Sequence, residues 1–234
     1  MRRNAVNPLA AGCVAVHHCR MKVRGIVAMA LALLLAACGG SPHRRPALGI
    51  APPEDTPAAF RKCQFDMSAL GAKYQILPDK DYHNGCSATH ALKLVAIGIP
   101  VTNLGAVKCG TALALTQWVT QAVQSAAHDR LGGYVVKIES FGSFACRPIN
   151  GIAGNKLSEH AQANAVDIAG FVLADGRRIT IAKDWNGPDA DSRAFLRQVR
   201  DAACRRFVTV LSPDYNAYHH DHLHFDMGKG HLCR

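Results

Sequence analysis

Six cysteines spread between residues 63 and 233 constrain what this chain can fold into more than any other feature: Cys63, Cys86, Cys109, Cys146, Cys204 and Cys233. None belongs to a CxxC pair, which argues against a thiolate zinc site. Whether they oxidise depends on compartment, and the start of the chain speaks to that. Arg2, Arg3, Arg20, Lys22 and Arg24 precede the apolar run GIVAMALALLLAA, and residues 1–37 contain no acid. Basic residues, an apolar stretch shorter than a comfortable membrane span, then small residues is the order of a secretion signal. An even set of cysteines in an exported chain reads as a disulfide framework. Cys204 and Cys233 flank the last predicted strands and are expected to pair, while the partners of the other four stay open.

The apolar run ends in LAAC, residues 35–38, which resembles the lipobox of bacterial lipoproteins. The resemblance implies a signal peptide over residues 1–37 and a lipid on Cys38, anchoring the mature protein to a membrane. An ordinary signal with an incidental cysteine is the alternative. Met21 opens a leader of more usual length, so residues 1–20, with Cys13 and Cys19, are a candidate for a misassigned start. Gly39 after Cys38, where an aspartate could stand, resembles an outer-membrane destination in a Gram-negative cell. The protein would then be a lipoprotein of the cell envelope facing the periplasm.

Residues 38–58 are rich in Pro, Ala and charge without a period and read as linker. The segment 59–234 has the size of one domain, and a chain that is 49% hydrophobic and 19% charged is globular in balance. Setting the five leader cations aside from a formal charge of +10 leaves +5 for the rest. No long Lys/Arg run remains, so nucleic-acid binding is not indicated. A mild cationic bias does favour contact with anionic polymers such as cell-wall material. A monomer is expected.

Apolar spacing predicts a short helix in AFRKCQFDMSALGA and strands in KYQIL and ALKLVAIGI. The strongest helix runs from Thr111, with the threonine at its start and Gly132-Gly133 at its end. YVVKIESFGSFACR reads as a strand into a loop. AVDIAGFVLADGRRITIAKDW reads as a hairpin in which Asp175-Gly176 supplies the positive φ angles. DSRAFLRQVRDAACRRF is an amphipathic helix capped by Asp191 or Ser192. FVTVL and HLHFD close the chain as strands. Helices mixed with antiparallel strands make an α+β fold, with a central, mostly antiparallel sheet and helices packed on it. Trp118 is expected in the core, and Trp185 in packing rather than along a groove.

The densest chemistry is HHDHLHFD, residues 219–226. Strand alternation puts His222 and His224 on one face, as two groups meeting at one ion require. His219 and Asp221 lie at the strand's entry, and His220 is a bystander. A second stretch, LSEHAQANAVDIAGF, places His160 and Asp167 so that a turn and a strand can bring both to one point. Ala161, Ala163 and Ala165 permit close packing there. His, Asp and His together are the ligand types of a catalytic zinc with one position left for water. Either stretch alone has a bland explanation as a turn or a strand end. Ser158 and Asp226 are candidates to orient the histidines from outside.

SEHAQANAVD resembles the SxHxxGxAxD signature of the D-alanyl-D-alanine metallopeptidases, relatives of lysostaphin and the hedgehog signalling domain, and HLH resembles their closing HxH. GSFACRPIN, the block from LSEHA to LADGR, FLRQVRDAAC, DHLHFD and the terminal CR resemble more closely the bacterial extensin-like carboxy-terminal domain family, over roughly residues 60–234. The resemblance implies a hedgehog/DD-peptidase-like site with zinc on His160, Asp167 and His224. It further implies Asp221 as general base, His222 beside the oxyanion or bound water, and His219 on the outer rim. Arg147 would polarise the carbonyl or bind a carboxylate. Ala163 departs from the family glycine, which puts local backbone geometry in question. The implied function is a zinc metallopeptidase, of D,D-carboxypeptidase or endopeptidase type, acting on D-amino-acid bonds of peptidoglycan. A non-hydrolytic, metal-containing cell-wall-binding module is the alternative, and a disulfide-stapled structural domain is the third.

Overall fold

A computed structural model describes residues 50–234. The expected signal peptide, Cys38 and the first part of the linker lie outside the described residues. Thr56 caps the first helix, its Oγ1 accepting from Ala59 N at 3.1 Å, and Pro57 opens it where a missing N–H costs nothing. This helix, α1 (Pro57–Ala69), buries Cys63 and Met67. Strands β1 (Lys73–Ile76), β2 (Lys80–Asp81), β3 (Ser87–Ala88), β4 (Ala91–Ala96) and β5 (Val107–Lys108) follow. They form a three-stranded sheet in the order β1-β4-β5 and a separate β2-β3 pair.

The strongest predicted helix is present but begins earlier than expected. Helix α2 (Cys109–Trp118) runs through a π-helical turn (Val119–Val123) into α3 (Gln124–Leu131) and stops at Gly132, which takes φ 65°. Thr111 is not its cap: its hydroxyl donates to Asn164 Oδ1 at 2.9 Å. The disulfide Cys63–Cys109 instead ties the first residue of α2 to α1.

The main sheet comprises β6 (Val135–Gly142), β7 (Ala165–Leu173), β8 (Arg178–Thr180), β9 (Thr209–Leu211), β10 (Leu223–Asp226) and β11 (Leu232–Cys233). Its order is β11-β9-β10-β7-β6, with β8 also on β7. Every pairing is antiparallel except β9 with β11. The fold is thus α+β with a mixed, largely antiparallel sheet. Two local expectations are corrected. In the hairpin turn Gly176 alone has positive φ, at 88°, while Asp175 does not. The apparent return strand ends at Thr180, whose hydroxyl caps a short helix, α4 (Ile181–Asp184). The next helix, α5 (Ala190–Ala203), is capped by Asp189, whose carboxylate accepts from Ser192 N at 2.8 Å; Asp191 and Ser192 sit inside it.

Alternation along β10 and β7 separates two faces. Leu223, Phe225, Val166 and Ile168 join the core with α2, α3 and α5. Trp118 is its centre, with its ring 5.1 Å from Phe225 and its indole N–H on the Val199 carbonyl. Trp185 is buried too, stacked beneath Arg197, so its role is packing. The opposite faces of β7 and β10 present Asp167, His224 and Asp226. Cys204–Cys233 forms as expected, and Cys86–Cys146 completes the framework. Among the described residues, no helix is long and apolar enough to cross a membrane.

Candidate metal centre

Register supplies two members of the cluster directly: His224 stands opposite Asp167 across the β7–β10 pair. The third comes from a 3-10 turn, Glu159–Gln162, that precedes β7. Ser158 caps this turn, its Oγ accepting from His160 N at 3.3 Å. The turn ends at Ala163, which takes the left-handed conformation with φ 52° and ψ 28°. That conformation explains the glycine in the resembling signature, since a Cβ makes it costly. Ala161, Ala163 and Ala165 are fully buried, so the turn and strand pack without a gap.

The three donors converge. His160 Nε2 lies 3.1 Å from Asp167 Oδ2 and 3.2 Å from His224 Nδ1, and His224 Nδ1 lies 2.9 Å from Asp167 Oδ1. Among the described residues these three form the group able to hold a metal ion, and all are buried. Each histidine has its other nitrogen committed. His160 Nδ1 donates to the Ser143 carbonyl at 3.3 Å, and His224 Nε2 donates to Asp226 Oδ2 at 3.0 Å. Asp226 is fixed in turn by Gly228 N. This is the outer shell that sets tautomer and ring angle in zinc sites. Asp226 thus bonds the His224 ring, while Ser158 holds the backbone rather than a ring. The Ser143 carbonyl has no signature in the sequence, because any residue type offers one.

The donor set fits zinc. Bonds of about 2.0–2.1 Å at tetrahedral angles place donor atoms roughly 3.3 Å apart, close to the spacings found here. Without a cation, two nitrogens facing each other beside a carboxylate need a proton between them. Burial disfavours charge on Asp167, yet hydrogen bonds with His160 and His224 outweigh it and hold the carboxyl well below its ordinary range. Burial likewise opposes charge on His224, but the bonds to Asp167 and Asp226 raise it to about 9. These opposite shifts describe one tightly coupled ion pair.

The remaining candidates surround the cluster. His222 Nδ1 donates to Asp221 Oδ1 at 2.9 Å, and its Nε2 lies 3.6 Å from Asp167 Oδ1. Asp221 thus stands behind His222 as one half of a dyad. Arg147 brings Nη2 to 4.0 Å from Asp167 Oδ2, with its side chain 41% exposed. The Cys86–Cys146 bond ties down the residue before it. His219 is more deeply set than an outer rim implies. It is 7% exposed, and its ring lies 5.1 Å from His222 and 5.9 Å from His224. Asn216 fixes it by accepting from Nδ1 at 2.7 Å. Desolvation, with His222 and His224 nearby, lowers its pKa to about 4. His220 points to solvent, 72% exposed, consistent with a bystander.

Two open cavities meet at the cluster. One, of about 410 Å³, is walled by Ile149, Leu157, Tyr215 and Tyr218. The other, of about 310 Å³, is walled by Phe141, Phe144 and Asp221. Both share Arg147, His160 and His222. The aromatic walls were not singled out from the sequence; Tyr215 and Tyr218, in the loop just before the histidine cluster, were the available signal.

No curated protein and no solved structure shows significant similarity to the chain. Residues 61–234 match the family described as "Extensin-like protein C-terminus", which spans all three donors and every residue around them. The chain belongs to the extensin-like protein C-terminus family.

Proposed function

We propose that this protein is a zinc-dependent peptidase of the bacterial cell envelope, acting on peptidoglycan stem peptides or cross-links at bonds involving D-amino acids. The observation that carries the reading is the convergence of His160 Nε2, Asp167 and His224 Nδ1, with both outward nitrogens tied, beside a His222–Asp221 dyad. His160, Asp167 and His224 would hold the ion. When bound, zinc acidifies a water towards a pKa of about 7 and polarises the scissile carbonyl.

The chain's own groups supply the rest. His222 Nε2, facing the ligands, accepts the water's proton and returns it to the leaving amine. Asp221 accepts from Nδ1, fixes that tautomer and stabilises the imidazolium while it lasts. Asp221 therefore acts through His222, which replaces it as the group nearest the reacting atoms. Arg147, exposed at the cluster's edge, meets charge developing on the carbonyl oxygen. His219, held neutral by burial, fills the space behind His222 without adding a second cation. A non-hydrolytic binding module would have no use for a proton carrier positioned this way, which favours the enzyme.

The reading draws support from the resemblance of SEHAQANAVD and HLH to the motifs of the D-alanyl-D-alanine metallopeptidases. The substrate follows from location: a leader with a LAAC cysteine, a charge of +5 beyond it and a disulfide framework suit a lipid-anchored protein of the periplasmic face of the outer membrane. Two experiments test this. Incubated with zinc and muropeptides, the purified protein releases products detectable by mass, and His224→Ala abolishes them; full cleavage by that variant sinks the proposal. Radiolabelled palmitate enters the wild type and not Cys38→Ala; equal labelling removes the anchor from the account.

A further inference from the structure

The two cavities bear on how a substrate lies in the site. Each reaches the donor cluster, and they share three side chains there, Arg147, His160 and His222. His224 lines the larger cavity and Asp167 the smaller, so the cluster stands between them. Both volumes fall in the range that accommodates a ligand segment of several groups. Each also carries a solvent-exposed aromatic wall. Tyr218 is 55% exposed in the larger and Phe141 59% exposed in the smaller, where Phe141 also packs edge-on against His222. Rings exposed at the wall of a cavity that reaches the cluster give a ligand apolar surface to pack on.

A carboxypeptidase needs something different. It needs one side of the reacting position closed about one residue beyond the scissile bond, and a fixed cation there for the terminal carboxylate. Among the described residues lining the smaller cavity, Arg147 is the one cation, and it sits at the junction rather than at an end. In the larger cavity the further cation is Lys229, which is exposed. Neither cavity therefore has a built carboxylate stop.

Resting on the peptidase reading above, we propose that the site is endo-acting. The substrate is a chain that continues through both cavities, with Phe141 and Tyr218 gripping it on opposite sides of the scissile bond and Arg147 directed at the carbonyl. Hydrolysis consumes one water. The C–N bond breaks, a new C–O bond makes a carboxylate on one product, and both protons of the water end on the amine of the other, which leaves as an ammonium, each product keeping more than one residue. A cross-linked peptide pair, which extends on both sides of its bridging bond, is the substrate class this geometry suits.

The test uses the full-length protein with zinc on two substrates: a cross-linked muropeptide dimer, and a monomeric stem peptide with its C-terminus either free or amidated. Internal cleavage of the dimer is expected, with amidation of the monomer changing kcat/KM by less than about threefold. Phe141→Ala and Tyr218→Ala should each raise KM for the dimer, by up to about tenfold per lost ring contact, with zinc content intact. Release of single C-terminal residues only, with a strong preference for the free acid that Arg147→Ala removes, overturns the endo assignment and leaves the peptidase standing. A KM response to one ring and not the other also overturns it. No product from either substrate overturns both.

Discussion

Asp167 and His224 govern the electrostatics of the site, and their shifts translate into a pH signature. Asp167 has a depressed pKa, so its stabilisation is present above the ordinary carboxylate value near about 4 and fades as pH falls. His224 has a raised pKa, so its contribution is full below about 6.5 and is lost as pH rises through about 9. Asp226, His160, His219, His222 and Arg147 face the same pair and complete its surroundings. His219 works the other way: its pKa is lowered to about 4, so its contribution is full above about 6.5 and is lost as pH falls towards 4. The metal-free protein is therefore most stable near about pH 6.5 and loses Tm from there to pH 9. If the proposed zinc binds, it takes the place of the proton on His224, so the loaded protein should keep its Tm across that range and zinc affinity should rise with pH. Melting curves with chelator and with zinc, from pH 5 to 9.5, check this; superposable curves count against a metal site. Removing an outer-shell partner is a gentler perturbation. Asp226→Ala frees His224 Nε2 and should weaken zinc binding by about 10–100-fold without abolishing it, measured by competition with a chromogenic chelator.

At the scale of elements, the site depends on one turn and one strand pair. The turn that delivers His160 ends at Ala163 in the left-handed region, a conformation that costs a residue with a Cβ roughly 1–2 kcal/mol. Glycine removes that cost but adds unfolded-chain entropy of about 0.5–1 kcal/mol. Ala163→Gly should therefore leave Tm unchanged or slightly raised, whereas β-branched Ala163→Val should lower both Tm and zinc content. An Ala163→Val protein with normal metal content would contradict the turn's role. The two helix starts show why capping residues alone do not fix a boundary. Asp191 and Ser192 are good capping residues, yet Asp189 sits where its carboxylate reaches Ser192 N. Thr111 looks like a cap but spends its hydroxyl on Asn164, a partner 53 residues away. Capping type is written locally; which of several candidates is used depends on where the chain enters.

For the whole molecule, the disulfides divide the labour. Cys63–Cys109 joins α1 to α2, Cys204–Cys233 joins the end of α5 to β11, and Cys86–Cys146 ties the β2–β3 segment to the loop bearing Arg147. Replacing Cys86 and Cys146 by serine should cost about 2–5 kcal/mol in denaturant unfolding. In the same variant kcat/KM on peptide substrate should fall while zinc content persists, because Arg147 loses its anchor and the donors do not. Loss of zinc in parallel with activity would place that bond under the metal site instead.

Part of this was determined by the sequence alone. The α+β pattern and the core position of Trp118 follow from periodicity, which acts over a few residues, whereas six cysteines allow fifteen pairings and only the fold brings Cys204 to Cys233. The placement of Asp167 opposite His224 required the register of β7 on β10, and register is set by the whole sheet. The Ser143 carbonyl on His160, the burial of His219 and the joining of two cavities at Arg147 were likewise decided only by tertiary structure. They depend on where loops distant in sequence come to rest, and no local propensity encodes that.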